Sequence, residues 1–217
     1  MSCAICRKRK EKRFCPAIHG RICPQCCGEQ REVTLDCPSE CVYLRQARQH
    51  EKTRPVAELD PQAFFPEVEI GDAFLYEQEP LLVGLSYSLA RSARTGHSIR
   101  DSDLMAALRA LVETYQTLAN SGLHYDAPIT NLAHHSIAAD IQQMVKEYRE
   151  AEQKHAGYTR LRDSDVLRAL VFLLRMGLTR TSGRPRSRAF VDFLMAQFPE
   201  PESTIARPNE ASRIIVP

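Results

Sequence analysis

Apolar positions follow two regimes along this chain. From Leu82 onward they recur at three- and four-residue intervals, the spacing that lines one face of an α-helix; in the first 54 residues they are few and scattered. Leu82, Leu85, Leu89 and Ala93 predict a helix that begins after Pro80 and stops at Gly96. Leu104, Leu108, Leu111, Tyr115 and Leu118 predict a second, ending near Gly122. Ile137, Ile141, Met144, Val145 and Tyr148 predict a third, from about Thr130 to Ala156, stopping at Gly157. A fourth carries Val166, Leu167, Leu170, Val171 and Leu174 and ends near Gly177, where, as at Gly122, a glycine suits a left-handed C-cap. Phe190, Val191, Phe193, Leu194 and Phe198 predict a fifth, about Ser187 to Phe198.

The pattern contains a repeat. Ile99-Arg-Asp-Ser-Asp-Leu104 recurs as Leu161-Arg-Asp-Ser-Asp-Val166, 62 residues later. Asp101 and Asp163 read as helix caps, with Asp103 and Asp165 in the first turn. Each capped helix follows another, so the unit is a helical hairpin used twice. Residues 80–200 therefore read as an all-α duplicated helix-hairpin bundle of four to five helices. Two copies suit a bundle better than an open solenoid, which needs about three repeats.

Residues 55–79 form a Pro-rich, acidic connector. Its apolar load, Phe64, Phe65, Val68, Ile70, Phe74 and Leu75, points to packing on the helices or, alternatively, to an acidic segment lying against the basic front of the chain. Residues 201–217 read as a flexible tail rich in proline and glutamate. No apolar run approaches the ~18 residues that cross a bilayer, and no basic-then-apolar leader is present. The expected location is a reducing cytoplasm, where eight cysteines favour metal over disulfides.

All eight cysteines lie in residues 1–54: Cys3 and Cys6, Cys15, Cys23, Cys26 and Cys27, Cys37 and Cys41. Paired cysteines with two or three residues between them, the pairs set apart by turn-forming residues, are how a chain aims thiolates at zinc. About 50 residues with so few apolar groups rarely fold without a metal or covalent staples. Two partitions fit. In the interleaved one, Cys3, Cys6, Cys23 and Cys26 hold one ion, and Cys15, Cys27, Cys37 and Cys41 the second. In the sequential one, Cys3, Cys6, Cys15 and His19 form the first site, and Cys23, Cys26 or Cys27, Cys37 and Cys41 the second. The interleaved scheme uses every thiol in two closed four-cysteine zinc sites and leaves His19 as a turn residue. Zinc is favoured over an iron–sulfur cluster, and a closed shell makes it structural. Cys37-Pro38-Ser39-Glu40-Cys41 reads as a helix start, placing Cys37 and Cys41 on one face of a helix that runs to about Lys52.

Cys3-Ala-Ile-Cys6, the step Arg13-Phe14-Cys15-Pro16 and the later paired cysteines resemble treble-clef and cross-brace fingers of the HIT and MYND types. That resemblance implies interleaved zincs and a role in protein contacts. The run Cys23-Pro-Gln-Cys-Cys-Gly28, followed by Cys37-Pro-Ser-Glu-Cys-Val-Tyr-Leu44, also looks like a motif of bacterial proteins without an assigned activity.

Charge changes the picture little. Residues 1–54 carry +6 and the remainder −4, but two zincs on eight thiolates bring the front module down to about +2. Arg7, Lys8, Arg9, Lys10, Lys12 and Arg13 leave a nucleic-acid partner open, as does Arg180-Thr-Ser-Gly-Arg-Pro-Arg-Ser-Arg188, whose plainer reading is a solvated loop or one paired with the acidic connector. His97, His124, His134, His135 and His155 form no His-Glu-x-x-His motif and read as surface residues. With no nucleophile, acid–base pair or phosphate loop in evidence, the expectation is a non-enzymatic zinc adaptor with a protein partner and scope for self-association. A zinc-dependent nucleic-acid regulator is the alternative. A thiol-redox role is the third class, with Cys27 its best candidate.

Overall fold

The computed structural model describes residues 1–50, 60–96, 98–122 and 127–199. The expected helix end near Lys52, His97, His124 and the tail lie outside the described residues. The described part is mainly α, with one small two-stranded sheet at the N-terminal end. There, β1 (Arg13–Cys15) and β2 (Gly20–Ile22) pair antiparallel, with Phe14 opposite Arg21 and Cys15 opposite Gly20. Two short helices follow, α1 (Pro24–Gln30) and α2 (Val42–His50). Then come α3 (Asp72–Glu77), α4 (Glu79–Thr95), α5 (Asp101–Ser121), α6 (Leu132–Ala156), α7 (Asp163–Arg180) and α8 (Ala189–Gln197).

The helices form where the apolar spacing places them, and their buried stripes are the predicted ones. Leu85, Leu89 and Ala93 of α4, Leu104, Leu108 and Leu111 of α5, Ile137, Ile141 and Val145 of α6, and Val166, Leu170 and Leu174 of α7 join one core. The equivalent helices of the two repeats pack on each other, α4 with α6 and α5 with α7, the second pair most extensively; α8 packs on α4. The connector adds Phe64, Val68 and Phe74 to the buried set. The Arg175 guanidinium fastens it by donating to the carbonyls of Phe64, Phe65 and Val68, each at 2.8 Å.

Two local expectations change. Gly122 and Gly157 do take left-handed conformations past α5 and α6 (φ 68° and 79°), the region a side chain disfavours. Gly177 does not end α7. It lies inside the helix, where a Cβ would come within 3.1 Å of the Phe190 ring, so its smallness serves the close crossing of α7 and α8. The caps also shift by one residue. Arg100 and Arg162 occupy the N-cap positions, and their N–H groups donate to the carboxylates of Asp103 (2.8 Å) and Asp165 (3.4 Å), half of a capping box.

Asp101 and Asp163, the first helical residues, are then free for other work, and the two copies do different things. The buried Asp101 carboxylate accepts from Ser187 Oγ at 2.6 Å and from the N–H groups of Phe190 and Val191 at 3.0 Å each, capping the start of α8. Asp163 pairs at 2.6 Å with Arg149 of α6 and stays 40% exposed. Removing the first strands three donors around a buried site; removing the second loses a partly screened ion pair. Asp101→Ala is expected to cost about 2–4 kcal/mol in urea unfolding and Asp163→Ala about 1 kcal/mol or less. Equal losses would show that the two copies are used alike.

Candidate metal centre and the finger–bundle junction

The N-terminal module has an interior made of sulfur. Its buried cluster is Cys3, Cys15, Ile22, Cys23, Cys26, Cys27 and Leu35. Cys3 and Cys6 sit on a tight turn closed by the Arg7 N–H donating to the Cys3 carbonyl at 2.9 Å, with Arg7 in the left-handed region. The β-hairpin then returns the chain to Cys23, which is the N-cap of α1; its sulfur accepts the Cys26 N–H at 3.4 Å. Pro24 at the first helical position favours this start, as it lacks the N–H that would be orphaned there. The sequence reading assigned that signature to Cys37-Pro38, but α2 begins only at Val42, and Cys37 and Cys41 flank a turn closed by Cys41 N–H to Pro38 O at 3.0 Å.

The sulfurs of Cys3, Cys6, Cys23 and Cys26 all lie within 4.8 Å of one another, with Cys6 and Cys23 at 4.0 Å. Four thiolates at ~2.3 Å from a tetrahedral zinc stand ~3.8 Å apart, so the set fits such an ion. Backbone amides already face the cluster: the Cys23 N–H donates to Cys3 Sγ at 3.2 Å. Burial raises the Cys3 thiol, but the amides of Cys6, Cys23 and Ile5 outweigh it and bring it down to about 6. Cys26 is pushed up to about 12, first by its contact with Cys23, then by burial and by Cys6 and Cys3. Neighbouring sulfurs thus resist ionising together, and a divalent cation is what lets all four do so. The Arg9 guanidinium is raised by its hydrogen bond to Cys23, a cation set against the cluster's charge.

This set is the first site of the interleaved partition. His19 is not in it: it stands exposed in a left-handed turn between the strands. The other four cysteines do not meet the same spacing; among the described residues the Cys3 group is the one whose ligand atoms all fall within 4.8 Å. Cys15, Cys27, Cys37 and Cys41 do border one cavity of about 10 Å³, roughly the room of one water-sized occupant. Burial raises Cys37, with Cys41 and Cys15 adding to the effect.

The finger is joined to the bundle by charges the sequence did not advertise. The Glu32 carboxylate, 2% exposed, accepts from Arg48 at 2.8 Å and from Ser182 Oγ at 3.1 Å. Arg48 also reaches Asp192 of α8 at 2.5 Å, and Ser39 donates to the same carboxylate at 2.7 Å. Burial opposes the Arg48 charge, but Asp192 and Glu32 outweigh it and raise its pKa. The basic loop after α7 completes the joint. Arg184 donates to the carbonyls of Gly28 (3.1 Å) and Arg31 (2.6 Å) at the C-terminal end of α1, where a cation suits the helix dipole. Arg186 pairs with Asp36 at 3.7 Å, and Arg188 donates to the Ile99 carbonyl. The loop is thus neither solvated nor paired with the acidic connector, the two readings the sequence suggests; its partners are the finger and the Ile99 carbonyl. Among the histidines, His134 is not solvent-facing as expected; it lies half-buried, 3.0 Å from Asp103.

Fold and site together define a mainly α-helical protein whose N-terminal module carries a four-cysteine cluster able to hold a metal ion, joined to the helical bundle by hydrogen bonds and ion pairs. Comparison of the chain with protein-family models, with curated protein sequences and with solved structures finds no match. No helix among the described residues is long and apolar enough to cross a membrane.

Glu32 is the sensitive point of the junction, because its charge is nearly out of water. Arg48→Ala leaves that carboxylate without its cation and is expected to lower stability by on the order of 3 kcal/mol in urea unfolding, with the metal content of the finger unchanged. A loss below about 0.5 kcal/mol would place the pair among ordinary surface contacts.

Proposed function

We propose that this chain is a non-catalytic zinc adaptor, in which two structural zinc sites shape an N-terminal recognition finger and the duplicated bundle carries it as a fixed head. The observation that carries the reading is the convergence of Cys3, Cys6, Cys23 and Cys26 on one point. A zinc held by four sulfurs has no vacant position for water or substrate, so it organises the fold rather than a reaction. The order of the parts, a cysteine turn, a β-hairpin and a helix whose N-cap and first turn supply the other two ligands, supports the treble-clef reading of the finger.

The second zinc is assigned to Cys15, Cys27, Cys37 and Cys41. Its support is their shared cavity and the interleaved spacing, which leaves no thiol unused. Zinc at both points draws β1, α1 and the segment before α2 together. The burial of Cys27 at 7% exposure argues against a reactive thiol there and so against the redox reading.

Native mass spectrometry of the purified chain is expected to show two zincs. Cys26→Ser is expected to lose the first and unfold the hairpin, because metal binding supplies much of a small module's folding free energy. Cys37→Ser is expected to retain one zinc and the hairpin while loosening the segment before α2. A compact, metal-free finger in the same spectrum would overturn the reading, and zinc-dependent turnover of any substrate would overturn its non-catalytic part.

A further inference from the structure

We infer that the outward face of the finger is a binding surface for single-stranded nucleic acid, in which Lys8, Lys10 and Lys12 contact the phosphate backbone and Phe14 stacks on a base. This inference rests on the metal-shaped, rigidly mounted finger proposed above and names its partner.

The structure removes one of the two basic stretches from consideration and leaves the other. Arg184, Arg186 and Arg188 are spent on the junction and on the Ile99 carbonyl. In the front run, Arg9 is drawn to the Cys23 sulfur, Arg13 stands over the Tyr43 ring at 4.5 Å, and Arg21 pairs with Glu11 at 3.2 Å. Arg7, Lys8, Lys10 and Lys12 are exposed and have no ion-pair partner among the described residues. Two four-thiolate zincs carry about −4 together against the +6 of residues 1–54, which leaves the module about +2, and Arg9 already faces the first site. That surplus sits on the exposed cations and points to an anion from outside.

The second observation is the aromatic ring. Phe14 lies two residues beyond Lys12 on the same extended segment, so the two share the strand's outward side, and Arg21 stands directly across from Phe14. The ring is 54% exposed, with Ile18 at 42% beside the hairpin turn. Phe14 thus presents an apolar ring on the segment that carries the exposed Lys12. An unstacked base fits that combination, because every base offers a π-face and its phosphate reaches the neighbouring cation. A duplex fits less well: among the described residues the finger's helices are 7 and 9 residues long, and its ribbon is made of strands of only three residues. The bundle meets the finger at residues 28–48, and among the described residues no hydrogen bond or ion pair joins residues 7–14 to the bundle, so this face lies outside the junction.

The test uses the full-length, zinc-loaded protein with a fluorescently labelled uridine oligonucleotide, a duplex of the same length, a polyglutamate peptide and anionic lipid vesicles. Binding is followed by anisotropy between about 50 and 200 mM salt. The oligonucleotide is expected to bind with affinity falling as salt rises. Lys8→Ala, Lys10→Ala and Lys12→Ala together are expected to weaken it at least about 10-fold and to flatten the log–log salt slope by about 2. Phe14→Ala is expected to weaken it about 10-fold with the slope unchanged. Lys146→Ala, on the far bundle, is a charge control expected to have no effect. Zinc content is measured on every sample. A two-zinc protein that ignores the oligonucleotide overturns this inference and leaves the metal reading intact. A folded, metal-free protein that binds it overturns the metal reading instead. Equal affinity for polyglutamate or vesicles, or a duplex bound as tightly with no effect of Phe14→Ala, also overturns the inference.

Discussion

Four sulfurs confined within 4.8 Å of one another cannot all be anionic unless a cation sits among them. That electrostatic constraint is what the N-terminal module is built on, because it has little else. Of the seven residues in its buried cluster, five are cysteines, and the carbon side chains are Ile22 and Leu35 alone. An interior of this kind supplies almost no hydrophobic driving force. Backbone amides draw the Cys3 thiol down to about 6 while its sulfur neighbours push Cys26 up to about 12, as expected of thiols crowded round one point.

The bundle obeys the opposite economy. Its core is leucine, isoleucine, valine and alanine at helical spacing, and it needs no cofactor to account for its packing. The two halves meet across a junction that is neither thiolate nor hydrocarbon. Glu32, Arg48 and Asp192 alternate in sign across it, with hydroxyls from Ser39 and Ser182 filling the remaining acceptor positions. Directional contacts of this sort fix orientation more than they add affinity. The finger is thereby tied to α8 and to the loop before it at several points.

Much of this was legible in advance, and the exceptions have identifiable causes. The helices α4 to α7 and their buried faces follow from periodicity, because a helix that packs on one side must repeat at 3.6 residues. The first metal site follows from spacing, because a Cys-x-x-Cys turn has few other uses. What spacing does not encode is which of several equal signals the fold employs. Cys23-Pro24 and Cys37-Pro38 both advertise a helix start, and only the first makes one. Gly177 carries the mark of a helix end and is instead the space that the Phe190 ring occupies, a fact of tertiary packing. The arginines 184, 186 and 188 look like a surface patch in one dimension; their partners lie more than eighty residues away in sequence, where no local pattern can announce them.

The loop between α7 and α8 shows why the two modules behave as one body. Ser187 bonds the Asp101 carboxylate, which in turn caps α8. Arg188 ties the same loop to the residue before α5's cap, while Arg184 closes the end of α1 and Ser182 reaches Glu32. One stretch of eight residues thus touches the start of α5, the start of α8 and the finger together. The second copy of the repeat is used differently: among the described residues, the Asp163 side chain pairs with Arg149 alone. The duplicated motif has therefore been divided: one copy closes the bundle on itself, and the other organises the end of the bundle on which the metal-shaped finger rests. Hydrogen bonds run unbroken from the end of α1 to Asp101: Arg184 donates to the Gly28 and Arg31 carbonyls, the Ser187 N–H donates to the Arg184 carbonyl, and the Ser187 hydroxyl donates to the buried Asp101 carboxylate.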